Sequence, residues 1–229
     1  MTKIGIIIPV YNRPALVKQT LDCLNNTLPL VDEFQVELII MDDNSNDIET
    51  QKLIADFELN ENLNWNITKG FFTANRGIAG TLKWGFEQLI DLGCDILCNL
   101  DSDVLLKPYW LKALLRLHMM KPDLIISGFG FNNHDRYCRK FKEMEYCLKP
   151  ATGGINYMFA TKNYDRWFSP ALKFGKYWDS NLWTIFRNEN MNDNFFVVTL
   201  PSVIEHTGIE FDTHPRVADD FNVKSKIFE

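Results

Sequence analysis

Apolar and polar residues fall in blocks along the first 130 residues, and the blocks have two different periods. Ile4–Val10 is a continuous apolar run of strand length, and Val36–Met41 is a second. Asn64–Lys69 is a weaker third, Asp95–Leu100 a fourth and Asp123–Phe129 a fifth. Short unbroken runs of this kind read as strands buried on both faces. Between them the apolar positions recur at helical spacing. Pro14 to Leu24 predicts a helix with proline in its first turn. Asn46 or Asp47 can cap a helix through Leu59, favoured by its acidic first turn. Ile78, Leu82, Phe86 and Leu89 form one apolar face on a helix that begins after Gly77. Pro108 opens another, with Leu111, Leu114, Leu115 and His118 following. This alternation predicts an α/β fold with a mostly parallel, Rossmann-like central sheet and helices on both faces.

The pattern weakens after about residue 130. Phe131 to Pro150 is polar and charged, and reads as a hairpin or a mobile loop. Gly153-Gly154 turns into a strand that runs to Phe159. Asp179 to Met191 has helical spacing, and Phe195–Leu200 and Ser202–Glu205 are short strands. From Gly208 the chain is polar, a tail that folds over the rim of the sheet or stays mobile. No repeat, low-complexity tract or Gly/Ser linker divides the chain. Its 229 residues therefore predict one domain, 1–229. Residues 1–130 form its more regular half, and 131–229 a smaller subregion with the tail.

Charge and cysteine content narrow the classes. A net charge of −6 argues against a general polyanion binder, which normally shows a basic face, but leaves room for a local basic pocket. The five cysteines are odd in number and contain no Cys-x-x-Cys pair, which predicts free thiols in a reducing compartment. No apolar stretch approaches the ~18 residues of a membrane span, and Ile4–Val10 is too short for a signal sequence. The expectation is a soluble, cytoplasmic protein with no integral membrane segment.

Ligands in parallel sheets bind beyond the carboxyl ends of the strands, which places Pro9–Arg13, Asp42–Ser45 and Asp101–Asp103 on one rim. Asp101-Ser102-Asp103 follows a buried run and precedes a helix start. Mg²⁺ and Mn²⁺ take one or two carboxylates plus phosphate oxygens, so this segment reads as a cation site that holds a diphosphate. Asp103 is the expected ligand, Asp101 bonds the ribose or supports the site, and Ser102 belongs to the nucleotide-binding set; a solvated acidic loop is the plainer alternative. Asp42-Asp43-Asn44-Ser45 can be an Asx turn that caps the next helix through Ser45, Asn46 and Asp47, but two further carboxylates at the strand end exceed what capping requires, and Asp43 is the one expected on the nucleoside. Its carboxylate can accept a uracil imide N–H or a ribose hydroxyl. Tyr11 offers a flat face to a base or closes the core as a rim aromatic. Arg76, in Asn75-Arg76-Gly77, suits an anion or ribose at a helix start, or belongs to an ordinary cap. Gly153-Gly154 permits close approach of a substrate or makes a tight turn. Asp179, beside Trp178, is a general base or an N-cap. His206 ends an apolar run; it is structural, or it joins the expected cation as a neutral imidazole ligand. His118 and His134 read as structural, and His214 beside Arg216 stays open. Trp110, Trp167, Trp178 and Trp183 stack on a sugar or fill the core.

In chain order these motifs resemble the nucleotide-sugar glycosyltransferases of family 2, which have the GT-A fold. Ile6-Ile7-Ile8-Pro9-Val10-Tyr11-Asn12-Arg13 is similar to their first strand, and Ile40-Met41-Asp42-Asp43-Asn44-Ser45 to their nucleoside-binding turn. Leu100-Asp101-Ser102-Asp103 with Pro108 resembles their metal motif. Gly153-Gly154 and Trp178-Asp179 resemble the acceptor-side elements, and Pro201–Gly208 a late segment whose histidine completes the metal site. Many members carry Glu-Asp where this chain has Trp178-Asp179. The resemblance implies a donor-binding half at 1–130, an acceptor-binding half at 131–229, and a Mn²⁺ (or Mg²⁺) cofactor. It further implies an inverting transfer from a nucleotide-sugar, UDP being favoured by family habit, to a hydroxyl on a glycan, protein, small molecule or modified nucleic acid. The Gln/Arg-x-x-Arg-Trp element of processive synthases is absent, which points to single additions. Three rivals remain. An aspartyl phosphatase would use Asp101-x-Asp103, but on its first strand. A nucleotidyltransferase would need a Gly-rich loop near that strand. A sugar-binding module would need no catalysis.

Overall fold

A computed structural model of the chain describes residues 1–26, 34–59, 65–130, 138–141, 144–189 and 196–208. The first elements are β1 (Thr2–Val10), α1 (Pro14–Asn25), β2 (Phe34–Asp42), α2 (Ile48–Asp56), β3 (Trp65–Phe71) and α3 (Gly77–Asp91). Then come β4 (Ile96–Leu100), β5 (Val104–Leu106), α4 (Trp110–Met120) and β6 (Ile125–Ser127). The last group is β7 (Cys138–Phe141), β8 (Met144–Lys149), β9 (Asn156–Ala160), α5 (Ser169–Leu172), α6 (Trp178–Asn188), β10 (Phe196–Leu200) and β11 (Ile204–His206). His134, His214 and Arg216 lie outside the described residues, as does the tail beyond Gly208.

Nine strands form one sheet in the order β3-β2-β1-β4-β9-β6-β10-β8-β7, and β5 pairs with β11 in a separate ribbon. β1, β2, β3 and β4 are mutually parallel, and β10 is parallel to β6. β9 and β8 run against the rest, through antiparallel pairings with β4, β6, β10 and β7. The fold is thus α/β with a mostly parallel central sheet, as the block pattern predicts.

β1 is buried from Ile4 onward because both faces of the sheet are covered. Ile4, Ile6, Ile8 and Val10 join a core with Val17 and Leu21 of α1, Ile54 of α2 and Leu111 of α4. Ile7, on the opposite face, packs with Leu82, Phe86 and Leu89 of α3 and with Leu182 and Phe186 of α6. α3 lies very close to β1: a Cβ at Gly85 would meet Ile7 Cγ1 at 2.5 Å, and one at Gly5 would meet Leu89 Cβ at 2.9 Å. Glycine at these two positions lets helix and strand touch.

Several boundaries differ from the expectation. α2 stops at Asp56 rather than Leu59 because Phe57 turns extended, with φ −67° and ψ 127°, and buries its ring in the core. β6 spans only Ile125–Ser127, since Gly128 leaves the strand to donate to Asn156 Oδ1 (3.0 Å). The segment 138–149 pairs as a hairpin of β7 and β8. β5, and a π-helical turn at Tyr164–Phe168, have no counterpart in the sequence reading.

Candidate active site

The loops after β1 and β2 are stitched to each other. Asn12 N donates to Ser45 Oγ (2.7 Å), and Asn12 Oδ1 accepts from Asn46 N (2.9 Å) and Asp47 N (3.3 Å). Asp42 Oδ2 accepts from Ser45 N (2.9 Å), which closes the Asx turn. The N-cap of α2 is Asp47, whose side chain accepts from Glu49 N. Asp42, Ser45 and Asp47 therefore do the turning and capping, and Asp43 is left for other contacts. Asp43 Oδ1 accepts from Arg76 N (2.7 Å), while Asn75 Nδ2 donates to Asp43 O (3.0 Å). These bonds draw the start of α3 onto the same rim. Asn12, Arg13 and Asn44 all have left-handed backbone, with φ of 56°, 61° and 63°. Such conformations are costly for non-glycine residues and cluster at sites where the surroundings enforce them.

The rim encloses a cavity of ≈ 350 Å³. Pro9, Tyr11, Arg13, Asp43, Asp101, Ser102 and Asp103 all line it, so seven residues singled out from sequence converge on one space. Tyr11 is 44% exposed, with its ring available to a ligand. The Arg76 guanidinium is not part of the lining: it lies over the Phe72 ring, 3.9 Å from the centroid. Asn75, Ile78 and Thr81 also line the cavity and escaped the sequence reading. Asn75 stood in plain view beside Arg76. Ile78 and Thr81 lie on a helix start whose apolar spacing read as core.

Asp103, although it lines this cavity, is only 6% exposed. Its Oδ2 accepts from Arg13 Nη1 (2.7 Å) and faces His206 Nε2 at 3.4 Å. Its carbonyl oxygen accepts from Thr207 N (2.8 Å) and Thr207 Oγ1 (2.9 Å). On the other side, Thr20 of α1 exchanges hydrogen bonds with the backbone of Val104 in both directions, at 2.9 and 3.0 Å. A Cβ on Gly208 would collide with Asp103 Oδ2 and sit 3.1 Å from Arg13 Nη1, so only glycine lets this loop close over the pair. Burial alone would push the Asp103 carboxyl up. The His206 hydrogen bond and charge, with the Arg13 guanidinium, outweigh it and hold the group below the usual carboxylate range.

Could this place hold a divalent ion? Neighbouring donors on an ion with bonds of about 2.1 Å stand about 3 Å apart, close to the Asp103–His206 separation. A buried carboxylate, an imidazole and the open cavity fit an ion completed by diphosphate oxygens. Among the described residues no three His, Cys, Asp or Glu side chains group together, so protein donors would be a minority in its shell.

Asp179 meets the segment that follows Gly153. It is not the N-cap of α6, which is Tyr177, but stands in the helix's first turn. Asp179 Oδ2 accepts from Gly154 N (3.3 Å), and Asp101 N donates to Ile155 O (2.9 Å), so both acids flank one short segment. Two buried asparagines anchor that segment. Asn99 Nδ2 donates to Gly154 O (2.7 Å), Asn99 Oδ1 accepts from Tyr157 N (3.1 Å), and Asn156 Nδ2 donates to Asn99 O (2.8 Å). An asparagine inside an apolar strand was the available signal for this network. Neither Gly153 nor Gly154 has a positive φ. Gly154 serves close packing: a Cβ there would meet Trp178 Cζ2 at 2.7 Å and Asp179 Cβ at 3.0 Å. Trp178, expected beside the sugar, is 4% exposed and packs edge-on against Tyr157 (5.6 Å). Its ring is core, because the amphipathic α6 turns it inward with Leu182 and Phe186. Trp110 and Trp167 are buried as well.

The family model for glycosyl transferase family 2 matches residues 5–176. The chain belongs to glycosyl transferase family 2. This membership sets aside the phosphatase and nucleotidyltransferase alternatives for Asp101-Ser102-Asp103. Among solved structures, this family 2 chain is similar to residues 1–349 of S. aureus TarS, with TM-score 0.55, 19% identity, and coverage of 86% of this chain and 58% of that one. It is also similar to the mannosyltransferase PcManGT from Pyrobaculum calidifontis in complex with GDP-Man and Mn²⁺, with TM-score 0.55, 16% identity, and coverage of 86% and 56%. These likenesses show the GT-A fold. The chain spans a little over half the length of each of these structures. No curated protein matches it by sequence. Among the described residues no helix is long and apolar enough to cross a membrane.

Proposed function

We propose that this family 2 chain is a metal-dependent, inverting glycosyltransferase that moves one sugar from a nucleoside-diphosphate sugar to a hydroxyl acceptor. The observation that carries this reading is the convergence of Tyr11, Arg13, Asp43, Asp101 and Asp103 on one cavity, with His206 behind Asp103. In it, residues 1–130 serve the donor and 131–229 the acceptor. Tyr11 and Pro9 hold the base, and Asp43 accepts from its N–H or from the ribose. Asp101 and Ser102 contact the ribose, Arg76 supports Asp43 through its backbone, and Arg13 faces the diphosphate. Asp103 and His206 would hold a Mn²⁺ or Mg²⁺ ion, which when bound supplies Lewis-acid neutralisation of the departing diphosphate. A relative of the same fold was solved with GDP-Man and Mn²⁺, which supports this assignment.

Asp179 takes the proton of the acceptor hydroxyl as its oxygen attacks the anomeric carbon opposite the diphosphate. Bond formation on one face and departure from the other invert the configuration in one displacement. No carboxylate nucleophile is needed, in contrast to a retaining hydrolase. Gly153 and Gly154 keep the backbone low between donor and acceptor, and Trp178 seats Asp179 from behind. UDP is the favoured nucleotide. A panel of UDP-, GDP- and other nucleotide-sugars, read first by thermal shift with Mn²⁺ and then by nucleotide release, tests the proposal. Stabilisation by one donor and its hydrolysis or transfer are expected. Binding of free sugars without any donor turnover would instead make the chain a sugar-binding module.

A further inference from the structure

Arg13 Nη1 lies 2.7 Å from the Asp103 oxygen that also faces His206. A charge-assisted contact of this length is a strong one. The fold maintains it from three sides. Arg13 is held in left-handed backbone (φ 61°, ψ 57°) at the residue before α1. Thr20, further along α1, is bonded to Val104, the neighbour of Asp103. Gly208 closes over both side chains with no room for a Cβ. Left-handed backbone is costly for an arginine, and here it is kept at the residue whose guanidinium meets Asp103.

We infer that Arg13 is a built-in counter-cation of Asp103 that is handed over to the donor's diphosphate, so that metal and nucleotide bind as a pair. The inference rests on the donor-site reading above. Arginine is charged at all working pH values, so Asp103 is neutralised before any donor arrives. A divalent ion arriving alone meets a carboxylate already paired and a positive charge next to it, and both disfavour it. A diphosphate in the cavity offers the guanidinium a second acceptor suited to its planar fork. Asp103 is then released toward the ion. Because coupling is reciprocal, the nucleotide raises metal affinity by the same factor as the metal raises nucleotide affinity. Arg13 is in this sense a positioning residue that sets the order of assembly.

The test measures Mn²⁺ binding by electron paramagnetic resonance of the free ion, alone and with saturating UDP or GDP. Wild type is compared with Arg13→Gln and Arg13→Lys, and thermal melts check folding. Arg13→Asn replaces the glutamine variant should that fail to fold, since asparagine tolerates left-handed backbone. Arg13→Gln is expected to bind Mn²⁺ alone about tenfold tighter than wild type, with the gain from nucleotide reduced by a similar factor. Arg13→Lys keeps the positive charge, so its affinity for Mn²⁺ alone is expected to stay close to wild type. An unchanged or weaker affinity for Mn²⁺ alone in Arg13→Gln, with nucleotide-dependent binding intact in wild type, overturns this inference and leaves the donor site standing. No Mn²⁺ binding to wild type with either nucleotide overturns both.

Discussion

Asp103 Oδ2 and His206 Nε2 stand 3.4 Å apart because β11 pairs antiparallel with β5, which sets His206 opposite Val104. The ribbon is only three residues long on each side, yet it brings His206 to the Asp103 carboxylate. Thr207 extends the pairing by donating twice to the Asp103 carbonyl. The position of the carboxylate is thus decided by backbone pairing, and its charge is held by His206 and Arg13 against the cost of burial.

Asp103→Ala removes the acceptor shared by Arg13 and His206. It is expected to abolish Mn²⁺-dependent nucleotide binding in calorimetry. Retention of wild-type affinity with Mn²⁺ present would place the ion elsewhere.

Asp179→Asn keeps the shape of the first turn of α6 and the acceptor for Gly154 N, but loses the carboxylate proposed as the base. Donor binding should be nearly unchanged while turnover falls by about 10²–10⁴. Near-normal turnover in a steady-state assay would assign the proton to another group.

Gly154→Ala puts a methyl group 2.7 Å from Trp178 Cζ2 and 3.0 Å from Asp179 Cβ. Overpacking of this kind costs about 1–3 kcal/mol and would push the start of α6 outward. A lower melting temperature and a reduced kcat are expected, with donor affinity held because Gly154 does not line the cavity proposed for the donor. Loss of donor affinity with kcat intact would contradict this division.

His118 is buried on α4, and burial pushes its imidazole from 6.5 down to about 4, with Asp123 opposing the shift and Lys162 adding to it. The unfolded chain therefore binds the proton first. Stability is fully present above pH 6.5 and is lost as pH falls toward about 4, by up to about 3 kcal/mol. Urea melts at several pH values should show this slope in wild type, and His118→Leu should flatten it. An equal slope in both proteins would mean that His118 titrates as it does in the unfolded chain.

Much of the fold was legible because it is written locally. The run Ile4–Val10 is apolar at every position but glycine and proline, and such a run belongs between two helical layers. The acids that follow β2 and β4 are marked by the abrupt change from apolar to polar at a strand end. β5 was missed because three apolar residues after Asp103 carry no period of their own. Trp178 was misplaced because an aromatic at a helix start gives no sign of which way the helix faces.

By itself, the sequence determined the alternation of the main strands and helices in the first 130 residues, the polar clusters at the strand ends, and through them the family. Periodicity and turn chemistry act over a few residues, so a linear reading reaches them. Only the tertiary structure decided that β9 runs antiparallel between β4 and β6, that Gly154 seats Asp179, and that Arg13 and His206 share one oxygen of Asp103. Those relations join residues far apart in the chain. They follow from which strand edges pair and how closely the layers pack, and no local pattern encodes that.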